Sequence, residues 1–239
     1  MTAVPDASSS PAVITVLQPD PTVPLDRFTQ WLPSTHRTVL LTEEPVPPLA
    51  DCGEGIVVLG GRGNAIDDAT SPFLPALREL LRAAVDAQVP VLGICLGHQI
   101  LAHTFGGELT LASAEQDQEG AFAVQLTAAG REDPVLGGLD DEFWTAQSHH
   151  DAVTRLPEQA QLLATSAQCP IQAFHLGSAV GVQFHPEASP ELMARWRENY
   201  GENASALLAQ MRSRDEQIAA AGRHIAEAFG QVVRERTDR

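Results

Sequence analysis

Apolar positions along this chain fall into two alternating patterns. Short continuous runs, Ala12–Leu17, Gly55–Leu59, Val89–Ile94 and Ala179–Phe184, have the length of strands buried on both faces. Arg37–Leu41 is a weaker strand of the same kind, and Pro45-Val46-Pro47-Pro48 forces a loop after it. Between these runs apolar residues recur at helical spacing. Leu25–Leu32 predicts a short helix, and Pro75–Ala87 a longer one with Leu77, Leu80, Leu81, Ala84 and Val85 on its buried face and Pro75 in its first turn. A further helix is predicted over Gln99–Phe105, closed by Gly106-Gly107. Glu108–Ala128 and Phe143–Thr165 alternate as antiparallel strands do, and from Pro190 onward the pattern is helical through Leu207, Met211, Ile218, Ile225 and Phe229.

Strand, helix, strand with short links is the pattern of a doubly wound α/β fold, mostly parallel and flanked by helices. Here it predicts a small antiparallel extension and a C-terminal helical segment as well. The reading divides the chain into a Ser/Ala/Pro-rich leader over residues 1–11, one domain over 12–196, and a helical extension over 197–239 packed on that domain. In such sheets ligands bind at the carboxyl ends of the strands. Two segments sit at such ends: Gly60-Gly61-Arg62-Gly63 and Gly93-Ile94-Cys95-Leu96-Gly97.

Composition narrows the chemistry. The 239 residues carry 31 acidic against 15 basic side chains, a formal charge of −16, and every basic residue is arginine. That charge argues against nucleic acid and anionic membranes as partners. The absence of lysine removes a Walker A site and Schiff-base catalysis. Three unpaired cysteines, no run long enough to span a bilayer and no signal-peptide pattern predict a cytoplasmic protein. No His/Cys/Asp cluster has metal-ligand spacing, and no cofactor is expected.

An apolar run that ends in Gly-x-Cys-x-Gly and continues as a helix has the form of a nucleophile elbow. The tight turn lifts Cys95 above the sheet and leaves no room for side chains at positions 93 and 97. The helix that follows aims free N–H groups at the sulfur and favours its thiolate. A thiolate needs a proton shuttle, and His185, directly after the last buried run, is the candidate. Glu187 lies two residues on, on the same side of extended chain, where it can orient the imidazole. Taken singly, either segment also reads as an ordinary turn.

Together, Gly-Ile-Cys-Leu-Gly-His-Gln and, 90 residues after the cysteine, Val-Gln-Phe-His-Pro-Glu, with the Gly-Gly loop upstream, resemble the class I (triad) glutamine amidotransferases. The likeness runs from about Val13 to Trp196 and is to free-standing members similar to the glutaminase domain of GMP synthetase. It implies that Cys95 attacks the glutamine side-chain amide, that His185 moves the proton and that Glu187 orients His185, with ammonia released from a glutamyl thioester. The same resemblance assigns the oxyanion donors to the Gly61 and Leu96 N–H groups. It also assigns substrate contacts to Gln99, Gly120, Ala121 and the Ser148-His149 backbone. Arg62 departs from the proline that many members carry, which predicts a loop whose geometry depends on substrate or on a partner. With 52 residues after Glu187, no lysine and no phosphate loop, the expectation is a protein that supplies ammonia to a separate synthetase. An independent hydrolase of larger γ-glutamyl amides and a non-enzymatic regulatory protein are the alternatives.

Overall fold

The computed structural model describes residues 13–237, so the leader read over residues 1–11 lies outside the described residues. Strands β1 (Val13–Gln18), β2 (Thr35–Leu40), β3 (Gly55–Val58), β4 (Val91–Ile94) and β11 (Ala179–Val182) form the parallel half of a nine-stranded sheet, in the order β2-β1-β3-β4-β11. The antiparallel half continues from β11 through β10 (Ala173–Leu176), β9 (Gln161–Thr165), β6 (Gln118–Leu126) and β7 (Glu142–His149). Two further short strands, β5 (Glu108–Thr110) and β8 (Ala152–Arg155), pair apart from the main sheet.

The continuous apolar runs are the strands covered on both faces. Ile56 and Val58 pack on one side with α2 (Leu74–Asp86) and α3 (Leu96–Thr104). Val57 and Leu59, pointing the other way, join Ile225, Phe229 and Val233 of α6 (Ser205–Thr237). Helix α1 (Phe28–Trp31) falls inside the predicted Leu25–Leu32 segment and packs beside α6. The strand β10 and the five-residue α4 (Ala128–Glu132) were not evident from the periodicity, β10 because four residues bounded by other short strands carry too little pattern.

Helix α5 (Pro190–Asn199) begins directly behind His185-Pro186-Glu187 because its start is well specified. The Ser189 hydroxyl caps Leu192 N–H at 3.1 Å, Pro190 sits in the first turn and Glu191 faces the positive dipole end. From there the 33-residue α6 folds back over β7, β6, α5 and α1, so the C-terminal segment covers one whole face of the sheet. Among the described residues no helix is long and apolar enough to cross a membrane.

Candidate active site

Cys95 occupies the turn between β4 and α3 with φ +51° and ψ −103°, a conformation that costs energy for any residue with a side chain. Backbone crowding holds it there. A Cβ at Gly97 would lie 2.2 Å from the Val58 carbonyl oxygen, and one at Gly93 would lie 2.7 Å from the Gly97 oxygen. The Cys95 N–H donates to Val182 O at 2.8 Å, which ties the elbow to β11. Its sulfur, 3.8 Å from the Ser148 carbonyl oxygen, opens onto a cavity of about 300 Å³.

His185 lies just past β11 on the same cavity wall, its N–H donated to Ala146 O at 2.8 Å. Its Nδ1 meets Glu187 Oε1 at 2.7 Å, both side chains being essentially buried. That contact places the Nδ1 proton toward the carboxylate and leaves Nε2 for the sulfur side. Burial alone would lower the His185 pKa. The Glu187 carboxylate and the Cys95 sulfur act against burial through charge and hydrogen bonding, and the value is pushed up to about 10. The Trp196 ring, 4.7 Å from the imidazole between centroids and anchored by its own Nε1–H on Thr22 O, adds a face suited to a cation.

Helix α6 buttresses this pair from behind. A Cβ at Gly222 would fall 2.1 Å from the Pro186 carbonyl oxygen, so the helix backbone rests against the His-Pro-Glu segment. The Arg27–Asp215 ion pair at 2.8 Å and the bond from Arg27 N–H to Glu187 O at 3.2 Å link the same regions. Sequence reasoning missed Gly222. The one available signal was a glycine closing the Ala219-Ala220-Ala221 run in a long helix.

Gly61 lines the cavity, and Leu96 opens α3 immediately beyond the sulfur. Among the described residues neither backbone N–H has a hydrogen-bond acceptor. Arg62 does not leave the loop loose, contrary to the expectation from its sequence: its N–H and Nε both donate to Asp20 Oδ2, at 3.2 and 2.9 Å. Gln99 also reaches the cavity, with Nε2 donated to Asp151 O (3.0 Å) and Gln183 Oε1 (3.3 Å), so its own carbonyl oxygen is the group able to accept. Ser148 and His149 line the wall opposite. Burial lowers the His149 pKa to about 4, and its Nδ1 donates to Asp151 O at 3.2 Å, so this histidine is a neutral group.

Two assignments are corrected. Gly120 and Ala121 do not line the cavity. The register of β6 on β7 sets Gln118 opposite His149 and Glu119 opposite Ser148, and two residues further on the strand has passed beneath α6. There Gln210 covers it, Ala121 N–H donating to Gln210 Oε1 at 3.3 Å. Gln118 and Glu119 supply the wall instead. Arg197, at the end of α5, completes the rim through ion pairs to Glu119 (2.7 Å) and Glu202 (3.0 Å). These residues carried no sequence signal, because their meeting depends on register and on where α5 ends. Among the described residues no group of three or more His, Cys, Asp or Glu side chains is disposed to hold a metal.

Residues 36–199 match the family described as glutamine amidotransferase class-I. The chain is 39% identical over 136 residues to the glutamine-hydrolyzing subunit of GMP synthase from Methanothermobacter thermautotrophicus, covering 56% of this chain and 65% of that protein's length. It is 32% identical over 173 residues to the corresponding protein of Methanococcus aeolicus, covering 67% of this chain and 84% of the relative. A glutamine amidotransferase structure from Thermotoga maritima superposes with a TM-score of 0.82 over 94% of this chain and 99% of that one, at 22% identity, a likeness of fold.

Proposed function

The chain belongs to the class-I glutamine amidotransferase family, and we propose that it hydrolyses the side-chain amide of glutamine at Cys95 and delivers the ammonia to a separate synthetase. The observation that carries this reading is the convergence of a strained cysteine, a buried histidine–carboxylate pair and two unpartnered N–H groups around one cavity. In this reading the Cys95 thiolate attacks the amide carbon, and the oxygen that gains charge is held by Leu96 and Gly61 N–H. His185 Nε2–H gives its proton to the amide nitrogen as the carbon–nitrogen bond breaks, releasing ammonia and leaving a glutamyl thioester. His185 then takes a proton from water, which attacks the thioester and frees glutamate and the thiol. Glu187 keeps Nδ1 protonated throughout and compensates the imidazolium.

At the rim, Arg197 and Glu119 present opposite charges side by side, complementary to the carboxylate and ammonium of an α-amino acid. Such an end group suits glutamine and γ-glutamyl compounds over simple amides. The catalytic unit in this proposal is residues 12–196, with 197–239 as an extension folded onto it. Supply of ammonia to a synthetase rests on the likeness to the glutamine-hydrolyzing subunits of GMP synthase, and the acceptor is left to experiment.

The test is ammonia release from L-glutamine by the purified protein, alone and with candidate synthetases, beside peptide mapping after treatment with a glutamine-like diazoketone. Label on Cys95, sparing Cys52 and Cys169, together with glutamine turnover is the expected result. Label on Cys52 or Cys169 with Cys95 untouched would overturn the assignment. Turnover confined to larger γ-glutamyl amides would replace the amidotransferase role with a hydrolase role at the same cysteine.

A further inference from the structure

The loop that carries Gly61 is held by a single buried carboxylate. Asp20, in the turn after β1, is only 8% exposed, and both of its oxygens are in use. Oδ1 accepts the Thr22 N–H at 2.8 Å and the Thr22 hydroxyl at 2.7 Å, so the carboxylate is locked to its own turn. Oδ2 accepts the Arg62 N–H at 3.2 Å and the Arg62 Nε–H at 2.9 Å. The gripped amide belongs to the peptide unit adjoining Gly61.

Loop position matters here because the loop touches the reacting groups. A Cβ at Gly60 would lie 2.8 Å from His185 Cε1 and 3.5 Å from Cys95 Cβ, and one at Gly61 would lie 3.0 Å from Leu96 Cδ2. Among the described residues no other hydrogen bond ties residues 60–63 to the protein. Three glycines in four positions leave the backbone free to take many conformations unless something restrains it. A charge-assisted pair of bonds is a strong restraint.

We propose that Asp20 is a positioning residue for the hydrolytic reaction, aiming the Gly61 N–H at the oxyanion through its grip on the Arg62 amide and guanidinium. The inference rests on the glutaminase reading above and adds to it. It also accounts for arginine at position 62: proline has no N–H to give Asp20, whereas arginine offers two donors to one carboxylate oxygen.

Asp20→Asn, Arg62→Ala and the double variant test the proposal against L-glutamine. Asparagine preserves size and can still accept from Thr22, but it presents an NH₂ to the Arg62 donors. Its kcat is expected to fall about 10- to 100-fold, a share of the 10²- to 10³-fold cost of losing an oxyanion donor, with little change in KM. Arg62→Ala keeps the amide bond and loses less. The double variant is no worse than Asp20→Asn, because both changes cut one linkage. Alkylation of Cys95 by iodoacetamide needs the thiolate and not the oxyanion donors, so its rate holds steady. Amide hydrogen exchange in residues 60–63 accelerates in Asp20→Asn whatever the substrate turns out to be. Wild-type kcat in Asp20→Asn, or a fall matched by an equal fall in alkylation, overturns the positioning role. Unchanged exchange in residues 60–63 overturns the grip itself. Absence of glutamine turnover by the wild-type protein counts against the glutaminase reading alone, since the exchange measurement still decides the grip.

Discussion

The molecule holds two histidine–carboxylate pairs at opposite ends of neighbouring strands, and they have different work. His185 and Glu187 follow the carboxyl end of β11, while His175 of β10 meets Asp133 at the other end of the sheet, Nδ1 to Oδ2 at 2.5 Å. Both imidazoles have raised pKa values: Glu187 and Cys95 overcome burial at His185, and the hydrogen bond to Asp133 dominates at His175. Both line cavities, and the one beside His175 is the larger, at about 450 Å³. The second nitrogen separates them. His175 Nε2 donates to Gly177 O at 3.1 Å, so each of its ring protons is committed, whereas His185 Nε2 is left to a sulfur. Asp133 likewise spends Oδ1 on the Val135 and Leu136 N–H groups at 2.8 and 3.0 Å, joining a turn to the sheet. A histidine–carboxylate pair is therefore no signature of catalysis. What makes one reactive is the unfilled nitrogen, the strained nucleophile and the free N–H donors around it.

The strongest way to break this comparison is to delete each imidazole. His185→Ala removes the proton shuttle and is expected to lower kcat for glutamine by about 10²- to 10⁴-fold, and Cys95→Ser to abolish thioester formation. His175→Ala leaves kcat close to the wild-type value. Steady-state ammonia release checks all three, and equal losses at His185 and His175 would erase the distinction. Disturbing the elbow comes next. Gly97→Ala places a methyl group 2.2 Å from the Val58 oxygen, which the backbone must move to accept. A loss of about 1–3 kcal/mol in urea unfolding is expected from such overpacking, with a fall in Cys95 alkylation. At the His175 end the crowding is softer, since a Cβ at Gly177 would meet a side-chain methyl, Val85 Cγ1 at 2.8 Å, and no backbone atom.

Glu187→Gln sharpens the comparison further. Glutamine can still present an oxygen to Nδ1–H, so orientation survives in part and activity stays measurable, well above that of His185→Ala. The charge that holds the imidazole protonated is lost, so the pKa of His185 must fall from its raised value. The alkaline limb of kcat against pH should then move to lower pH. An unmoved limb would separate that limb from His185.

Much of this contrast was legible in the sequence for a physical reason. The elbow and the His-Pro-Glu segment are local: glycines at 93 and 97 and a carboxylate two residues from a histidine are written within a few positions. The buried parallel strands are likewise self-declaring, because burial on both faces leaves continuous apolar runs. What stayed hidden is non-local. Glu119 reaches the cavity through the register of β6 on β7, Asp20 and Arg62 meet from different strand ends across 42 positions, and Gly222 touches Pro186 from a helix 36 residues downstream. The assignment of Gly120 and Ala121 failed by the same rule, since a likeness of motif fixes a strand but not which of its residues faces the cavity.

The smallest expected effect lies at the His175 pair. Asp133 is buried, with its side chain 2% exposed, and His175 is its only charged partner among the described residues. His175→Gln can keep one hydrogen bond and loses the charge, so a cost of about 1–2 kcal/mol is expected, the usual worth of a hydrogen bond to a charged group. The pH dependence has a definite sign. The folded-state pKa of His175 lies above its unfolded value of about 6.5. The protonated pair therefore contributes its full stabilisation below that value and loses it as pH rises through the folded pKa. Urea unfolding at pH 6 should show the whole gap between wild type and His175→Gln, and at pH 9 a narrower one, while kcat for glutamine stays unchanged. A gap that widens with pH would mean that His175 is held neutral. A large fall in kcat would mean that the two ends of the sheet are coupled, and the division between a reacting pair and a structural one would no longer hold.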